Sequence, residues 1–481
     1  MTEFLSQANL HRVADTVQRP AYDRNQLGVG IVHFGPGAFH RAHQAWYVES
    51  LLAQDPRWGI CGVSLHSSDV RAALAPQDCL YTLATLDEET SYQVVGALRE
   101  VLVAPDDPES VLKRLTAPAT RIVTITVTEK GYCLSSDGSL DVTHPDIVAD
   151  MCDPHAPSSL IGYLVEALRR RLEGGLDPLT IISCDNLVDN GARLAGAVLQ
   201  FAGSRDSRLA EWIRDKVPFP RTMVDSITPA TTAALRQTVA DATGVSDRWP
   251  VQRESFIQWV MEDCSGSKVQ APDWEAAGVI VTDDVAAYDR AKLRLLNGAH
   301  STLAYLGLLA GYETVSAAMG NKSLSTFVAT LMKADIRPTI QAPRGLDLDA
   351  YIAAILKRFR NPALSHALAQ IAWDGTQKLP FRILGTIADA LAASGPIDRL
   401  CVPVAAWMQF VRRKAALGER VVDPLATQLL QIGAACQNRA ATDVPAFLAL
   451  ASVFPHALAA DERFRAALGR AYDMLSAQSK R

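Results

Sequence analysis

The chain has 481 residues, 48% of them hydrophobic and 21% charged, with 29 glycines and 25 prolines, a globular composition that excludes a disordered, collagenous or coiled-coil architecture. At roughly 100 to 200 residues per domain, the length predicts more than one domain, each able to bury a full core. The 47 Lys and Arg are outnumbered by 52 Asp and Glu, a net charge of −5, which argues against a nucleic-acid partner because neutralising phosphates requires a basic surface.

The eight cysteines form no C-x-x-C pair and have no regular spacing, so neither a zinc ribbon nor a disulfide framework is expected. The first residues, MTEFLSQANLHR, lack a basic start and an apolar stretch, and no run approaches the ~20 apolar residues of a membrane span. A cytoplasmic protein without a membrane partner is expected.

In chain order, residues 28–34, GVGIVHF, form an apolar run that ends in the turn GPG, and AFHRAHQAWYVESLLAQ then carries apolar residues at helical spacing. The prediction is strand, glycine turn, one helix. WGICGVSL (58–65), RIVTITVT (121–128) and LTIISC (179–184) read as further buried strands, each near a helix-like segment such as SSLIGYLVEALRRRLEGG. Alternating strands and helices predict an α/β fold with a doubly wound, Rossmann-type parallel sheet. After about residue 285 the β-branched runs give way to amphipathic patterns such as LSTFVATLMKAD and FRILGTIADALAAS. The expected division is therefore 1–285, α/β, and 286–481, mainly helical.

Gly35 and Gly37 in HFGPGAFHRAH have the G-x-G spacing that lets backbone approach a pyrophosphate, with a helix N-terminus following. The third glycine of the common fingerprint is absent, so the alternative of an ordinary strand-to-helix turn stays open. His40 and His43 are expected in packing or beside a phosphate rather than on a metal, since no carboxylate or cysteine completes a ligand set. A dinucleotide fold wants an acidic residue just beyond the second strand, and Asp69 is the first available, further from the glycines than usual; a solvated loop aspartate before the helix VRAAL is the alternative. Gly35, Gly37, Phe39 and Asp69 are the expected cofactor positions. NAD is the expected cofactor, while Arg71 nearby leaves NADP open.

In AKLRLLNGAHS, Lys292, Asn297 and His300 stand at i, i+5 and i+8, within about 140° of rotation on an α-helix at ~100° per residue, so all three can reach one cavity. A lysine that takes up a hydroxyl proton and amides that donate to the developing oxyanion supply what hydride transfer from a secondary alcohol requires. Asn186 in SCDNLVDNG follows the strand LTIISC at its carboxyl end, where open α/β sheets build their sites. Capping of the next helix by Asp185, Asn186 or Asn190 is the structural alternative.

Taken together and in this order, GPGAFHRAHQ, TITVTEKGY, SCDN, FPRTMVDSITPAT, FIQWVMED and KLRLLNGAHS resemble the polyol-specific long-chain dehydrogenases, the mannitol dehydrogenase family, which includes mannitol 2-dehydrogenase, fructuronate reductase and tagaturonate reductase. The resemblance covers nearly the whole chain. It implies a zinc-independent NAD(P)-dependent oxidoreductase, with an N-terminal Rossmann-type cofactor domain, a helical substrate domain and the active site between them. Lys292 matches the acid/base lysine, Asn186 and Asn297 the amides that hold the reacting oxygen, and His300 the histidine that orients substrate and lysine. Asp225 and Lys378 match positions that contact the sugar chain.

Two departures bear on the substrate: Ser226 follows MVD where the family commonly has arginine, and Gln370 stands where mannitol dehydrogenases carry arginine. The stretch with Gln370, Lys378 and Arg382 looks more like the fructuronate reductase branch, and a Lys/Arg pair suits a hexonate carboxylate better than a neutral hexitol. Arg382 facing solvent is the alternative. The expected reaction is D-fructuronate to D-mannonate; a mannitol 2-dehydrogenase and, from another class, a non-catalytic nucleotide-binding protein are the rivals. A sugar acid or polyol is the expected partner, and of oligomeric states a monomer is entertained.

Overall fold

The structure, a computed structural model, describes residues 3–478 apart from Ser136, Lys268 and Ser365. The chain forms two compact units, Met1–Val285 and Ala286–Arg481. The first contains the strands β1 (Val29–Phe34), β2 (Gly59–Ser64), β3 (Tyr81–Leu86), β4 (Ser91–Val95), β5 (Leu98–Val103), β6 (Ile122–Ile125), β7 (Thr180–Ser183), β8 (Thr222–Asp225), β9 (Val251–Glu254), β10 (Gln258–Glu262) and β11 (Ile280–Thr282).

The main sheet has the order β5-β2-β1-β6-β7 with every neighbour parallel. Such strands are apolar throughout because both faces are covered. On β1, Val32 and Phe34 join the core beneath the helices Leu160–Glu173 and Asn190–Gly203, while Ile31 points into the opposite core with Ile60, Ile122, Ile182 and Trp259. The chain leaves β1 toward β2 and later crosses back to β6, so the carboxyl ends of β1 and β6 form the switch point at which ligands bind in this architecture.

Two small sheets, β4-β3-β9 and β11-β10-β8, complete the unit. Their strands and β5 escape the sequence reading because each is short and only partly apolar, as the exposed and half-buried residues of β4 illustrate. The single helix expected after GPG is instead two short ones, Ala38–Ala42 and Gln44–Glu49, broken at His43 with φ −120° and ψ −89°. Side-chain periodicity survives the break, which is why the pattern conceals it.

The second unit is built from helices. Asp398–Ala416 packs against Gly298–Leu309, Ala426–Ala435 and Glu462–Gln478. Trp407 on the first of these is buried, with the rings of Phe447 and Phe454 at 5.4 and 6.3 Å. Among the described residues three π-helical segments, Lys292–Asn297, Leu331–Ile336 and Pro380–Leu384, interrupt the α-helices. Among the described residues no helix is long and apolar enough to cross a membrane.

Candidate active site

In the α/β unit the site begins where β1 ends. Gly35 has φ +88°, and a Cβ there would lie 2.1 Å from the carbonyl oxygen of Thr126, so only glycine allows the two strand ends to approach. The Thr126 hydroxyl donates to Gly35 O at 2.9 Å, and Thr126 N donates to Phe34 O at 2.9 Å. Gly37 occupies the N-cap of Ala38–Ala42, and a Cβ on it would meet nothing closer than 3.9 Å. The protein itself therefore leaves space above this turn, room that fits a pyrophosphate approaching the backbone.

His33 and His40 stack beneath the turn at 3.4 Å between ring centroids. Burial holds both neutral, His33 at about 3 and His40 well below the ordinary imidazole range. Phe39 is half-buried and stacks on His43 at 4.9 Å, while His43 Nε2 lies 3.0 Å from Gln258 O. Both expected histidines are thus core groups of this corner.

Asp69 opens the helix Asp69–Leu74 beyond β2 and is exposed. Arg71 pairs with Asp106 at 2.5 Å.

At the carboxyl end of β7, Asp185 does not cap the following helix. Its Oδ2 accepts from Val127 N at 3.0 Å and from the Tyr132 hydroxyl at 2.8 Å, and Oδ1 accepts from Thr128 N at 3.1 Å. Asn190 also stays out of capping: its Nδ2 donates to Thr222 O at 3.1 Å and its Oδ1 accepts from Thr222 N at 3.0 Å. The N-cap position belongs to Asp189, whose side chain makes no capping bond. Asn186, between these anchored residues, is exposed. Asp225 closes β8 and is buried, and the Ser226 hydroxyl donates to Phe256 O at 3.0 Å.

In the helical unit Lys292 and His300 are each 7% exposed, and Asn297 is half-buried. The rotation expected for an α-helix does not apply between Lys292 and Asn297, because that turn is π-helical. A π-turn takes one more residue per hydrogen-bonded loop and so turns less per residue, and such turns concentrate at functional sites. Arg294 fastens the turn from outside, donating to Thr339 O at 2.9 Å and pairing with Asp389 at 2.5 Å.

The His300 ring lies 4.6 Å from that of Phe359 and 5.1 Å, nearly perpendicular, from that of His366. Its Nε2 is buried without a hydrogen-bond partner among the described residues. Burial first, then His366, Arg358 and Arg382, hold His300 well below the ordinary imidazole range, so it is neutral at neutral pH. Sequence patterns give no sign of His366, Arg358 or Ser301, since a single buried polar residue in a helical pattern has no distinguishing period.

Arg382 sits in the π segment Pro380–Leu384 rather than facing solvent freely. It is half-buried, its Nη1 donates to the Ser301 hydroxyl at 3.2 Å, and burial lowers its proton affinity. Lys378 Nζ donates to Ile371 O at 3.4 Å, and burial followed by the charge of Arg382 lowers its pKa. Gln370 is exposed. Both cations are partly desolvated, and Asp374 and Asp423 offset only part of the lowering at Lys378, so a substrate anion would add compensation.

The comparisons with known proteins follow the same division. The mannitol dehydrogenase Rossmann domain matches residues 29–276, and the mannitol dehydrogenase C-terminal domain matches 284–476. D-mannonate oxidoreductase of Escherichia coli K12 is 42% identical, covering 97% of each chain. The Pseudomonas fluorescens mannitol 2-dehydrogenase, solved as a ternary complex with NAD and D-mannitol, superposes with a TM-score of 0.83 at 36% identity, covering 99% of this chain and 98% of that one. Substrate-free D-sorbitol dehydrogenase gives 0.81 at 38% identity over 85% of each chain. The chain belongs to the mannitol dehydrogenase family of oxidoreductases.

Proposed function

We propose that the protein is an NAD-dependent dehydrogenase that interconverts a ketose carbonyl and a secondary alcohol, and that its substrate pair is D-fructuronate and D-mannonate. The observation that carries the substrate is the cation pair Lys378 and Arg382, each with its proton affinity lowered by burial. A carboxylate on the substrate accepts charge-assisted hydrogen bonds from that pair, which Asp374 and Asp423 compensate only in part at Lys378, whereas a neutral hexitol offers it no charge. The likeness to D-mannonate oxidoreductase supports the same choice.

Gly35, Gly37 and Phe39 would hold the dinucleotide at the switch point, with Asp69 toward its ribose. The nicotinamide, when bound, supplies hydride exchange with the carbon that bears the reacting oxygen. NAD is favoured over NADP because Arg71 is already engaged by Asp106, which leaves it poorly disposed toward a 2′-phosphate. In alcohol oxidation Lys292, as the free amine, takes the hydroxyl proton at Nζ; in ketone reduction its ammonium returns one. Asn186 and Asn297 donate amide hydrogens to the oxygen while it carries negative charge. Neutral His300 offers Nε2 to a substrate hydroxyl and so fixes the sugar against Lys292. Asp225 and Lys378 contact the rest of the chain.

The test is a comparison of kcat/KM for NADH-linked reduction of fructuronate and fructose. A preference for fructuronate of at least about tenfold is expected. Faster turnover of fructose would instead support the second reading, a mannitol 2-dehydrogenase, which the likeness to the Pseudomonas enzyme keeps in view.

A further inference from the structure

A group of side chains in the α/β unit takes no part in the reaction described above. Cys133 follows the short helical turn Glu129–Tyr132 and adopts φ +50°. His144 and Asp146 flank the start of the helix Pro145–Cys152. The intervening loop folds back on itself: Leu134 bridges Leu140, and Asp141 N donates to Cys133 O at 2.8 Å. This hairpin brings a thiol, an imidazole nitrogen and a carboxylate oxygen within 4.8 Å of one another. His144 Nδ1 and Asp146 Oδ2 are 3.8 Å apart, and Nδ1 accepts the N-cap hydrogen bond from Asp146 N at 3.3 Å, which a bound ion would replace.

We propose that Cys133, His144 and Asp146 bind one divalent cation of the zinc class, with water as the fourth ligand, and that the ion clasps the two ends of the 134–143 loop. The donor set decides the class. A thiolate with an imidazole selects zinc over magnesium or calcium, which take oxygen ligands. Zinc bonds to nitrogen, oxygen and sulfur run about 2.0 to 2.3 Å, which sets tetrahedral ligand atoms somewhat under 4 Å apart. The His144–Asp146 separation already meets this, and the thiol, within 4.8 Å of both donors, would have to close the remaining distance on binding. Cys133 is buried while the other two donors are half-buried, so an ion enters from the His144 side. The clasp acts on local order and leaves hydride transfer to the residues named above.

The test is titration of the metal-stripped full chain with Co²⁺, then Zn²⁺. One cobalt per chain and a thiolate-to-cobalt charge-transfer band are expected, with the band kept in Cys152→Ser, gone in Cys133→Ser, and at least tenfold weaker binding in His144→Ala. Zinc should raise the melting temperature of the wild type and not of Cys133→Ser, while NADH-linked turnover stays the same with and without chelator. Absence of the band in the wild type, its persistence in Cys133→Ser, or unchanged affinity in His144→Ala would overturn the proposal. His144→Ala retains the thiol, so it decides the matter even if Cys133→Ser fails to fold.

Discussion

Arg382 reaches from its π segment to the hydroxyl of Ser301, 3.2 Å away and one residue beyond His300. The contact fixes the guanidinium beside the helix that carries Lys292 and Asn297, and a Cβ on Gly298 would come within 3.0 Å of Arg382 O. A charge held this closely serves a substrate anion or serves only the fold, and a substitution separates the two.

Arg382→Met should lower kcat/KM for fructuronate by roughly tenfold or more, the value of one charge-assisted hydrogen bond. Fructose reduction should change little, because a neutral ketose does not use the charge. Equal losses on the two substrates would assign Arg382 to the fold.

Lys292→Ala should reduce turnover by about 10² to 10⁴-fold, the usual contribution of a general acid/base. NADH binding, followed by fluorescence, should persist, since the residues that would hold the cofactor lie on the other unit. A mutant within about threefold of wild type would remove the lysine from the mechanism. In the wild type, alcohol oxidation should accelerate as pH rises, because only the free amine accepts a proton.

Replacing Asn186 or Asn297 by Ala should depress kcat by about 10² to 10³-fold and KM far less, as for other donors to a developing oxyanion. An effect confined to KM would assign these amides to ground-state substrate binding.

Glu49 offers a test of stability against pH. Its carboxylate accepts from the Tyr22 hydroxyl at 2.7 Å and from Gly96 N at 2.8 Å, and burial pushes its pKa from 4.5 up to about 7. The folded protein therefore holds a proton that the unfolded chain has released, and the stability this gives is complete below the unfolded pKa and lost as pH rises through about 7. Between mildly acidic and mildly alkaline pH, the wild type should lose roughly 2 to 3 kcal/mol relative to Glu49→Gln. Urea midpoints of the two proteins that keep a constant difference over that range would contradict this.

The main sheet is legible in the sequence because parallel strands buried on both faces must be continuous apolar runs, and β1, β2, β6 and β7 are. The candidate site residues are legible only as an ordered set of motifs; singly, Asn186 or Lys292 looks like any polar residue of a loop or helix. The break at His43 and the π turns are silent, because the segments on either side are too short for their apolar spacing to reveal a change of phase. By sequence Asp185 is a candidate cap, yet it fastens the segment after β6, a partnership set by strand adjacency across 57 and 58 residues of chain.

The turn Lys292–Asn297 also bears on how this protein can change. A π-turn is an α-turn that has absorbed one extra residue, so removing any one residue from KLRLLN would let the helix relax to ordinary pitch. Every side chain on one flank would then swing by about 100° about the helix axis, changing where Lys292 points relative to His300. The apolar residues of this stretch can be exchanged for one another, whereas Lys292 and Asn297 cannot if they act as proposed, and its length is fixed: insertions or deletions that surface loops absorb easily would here cost turnover before stability.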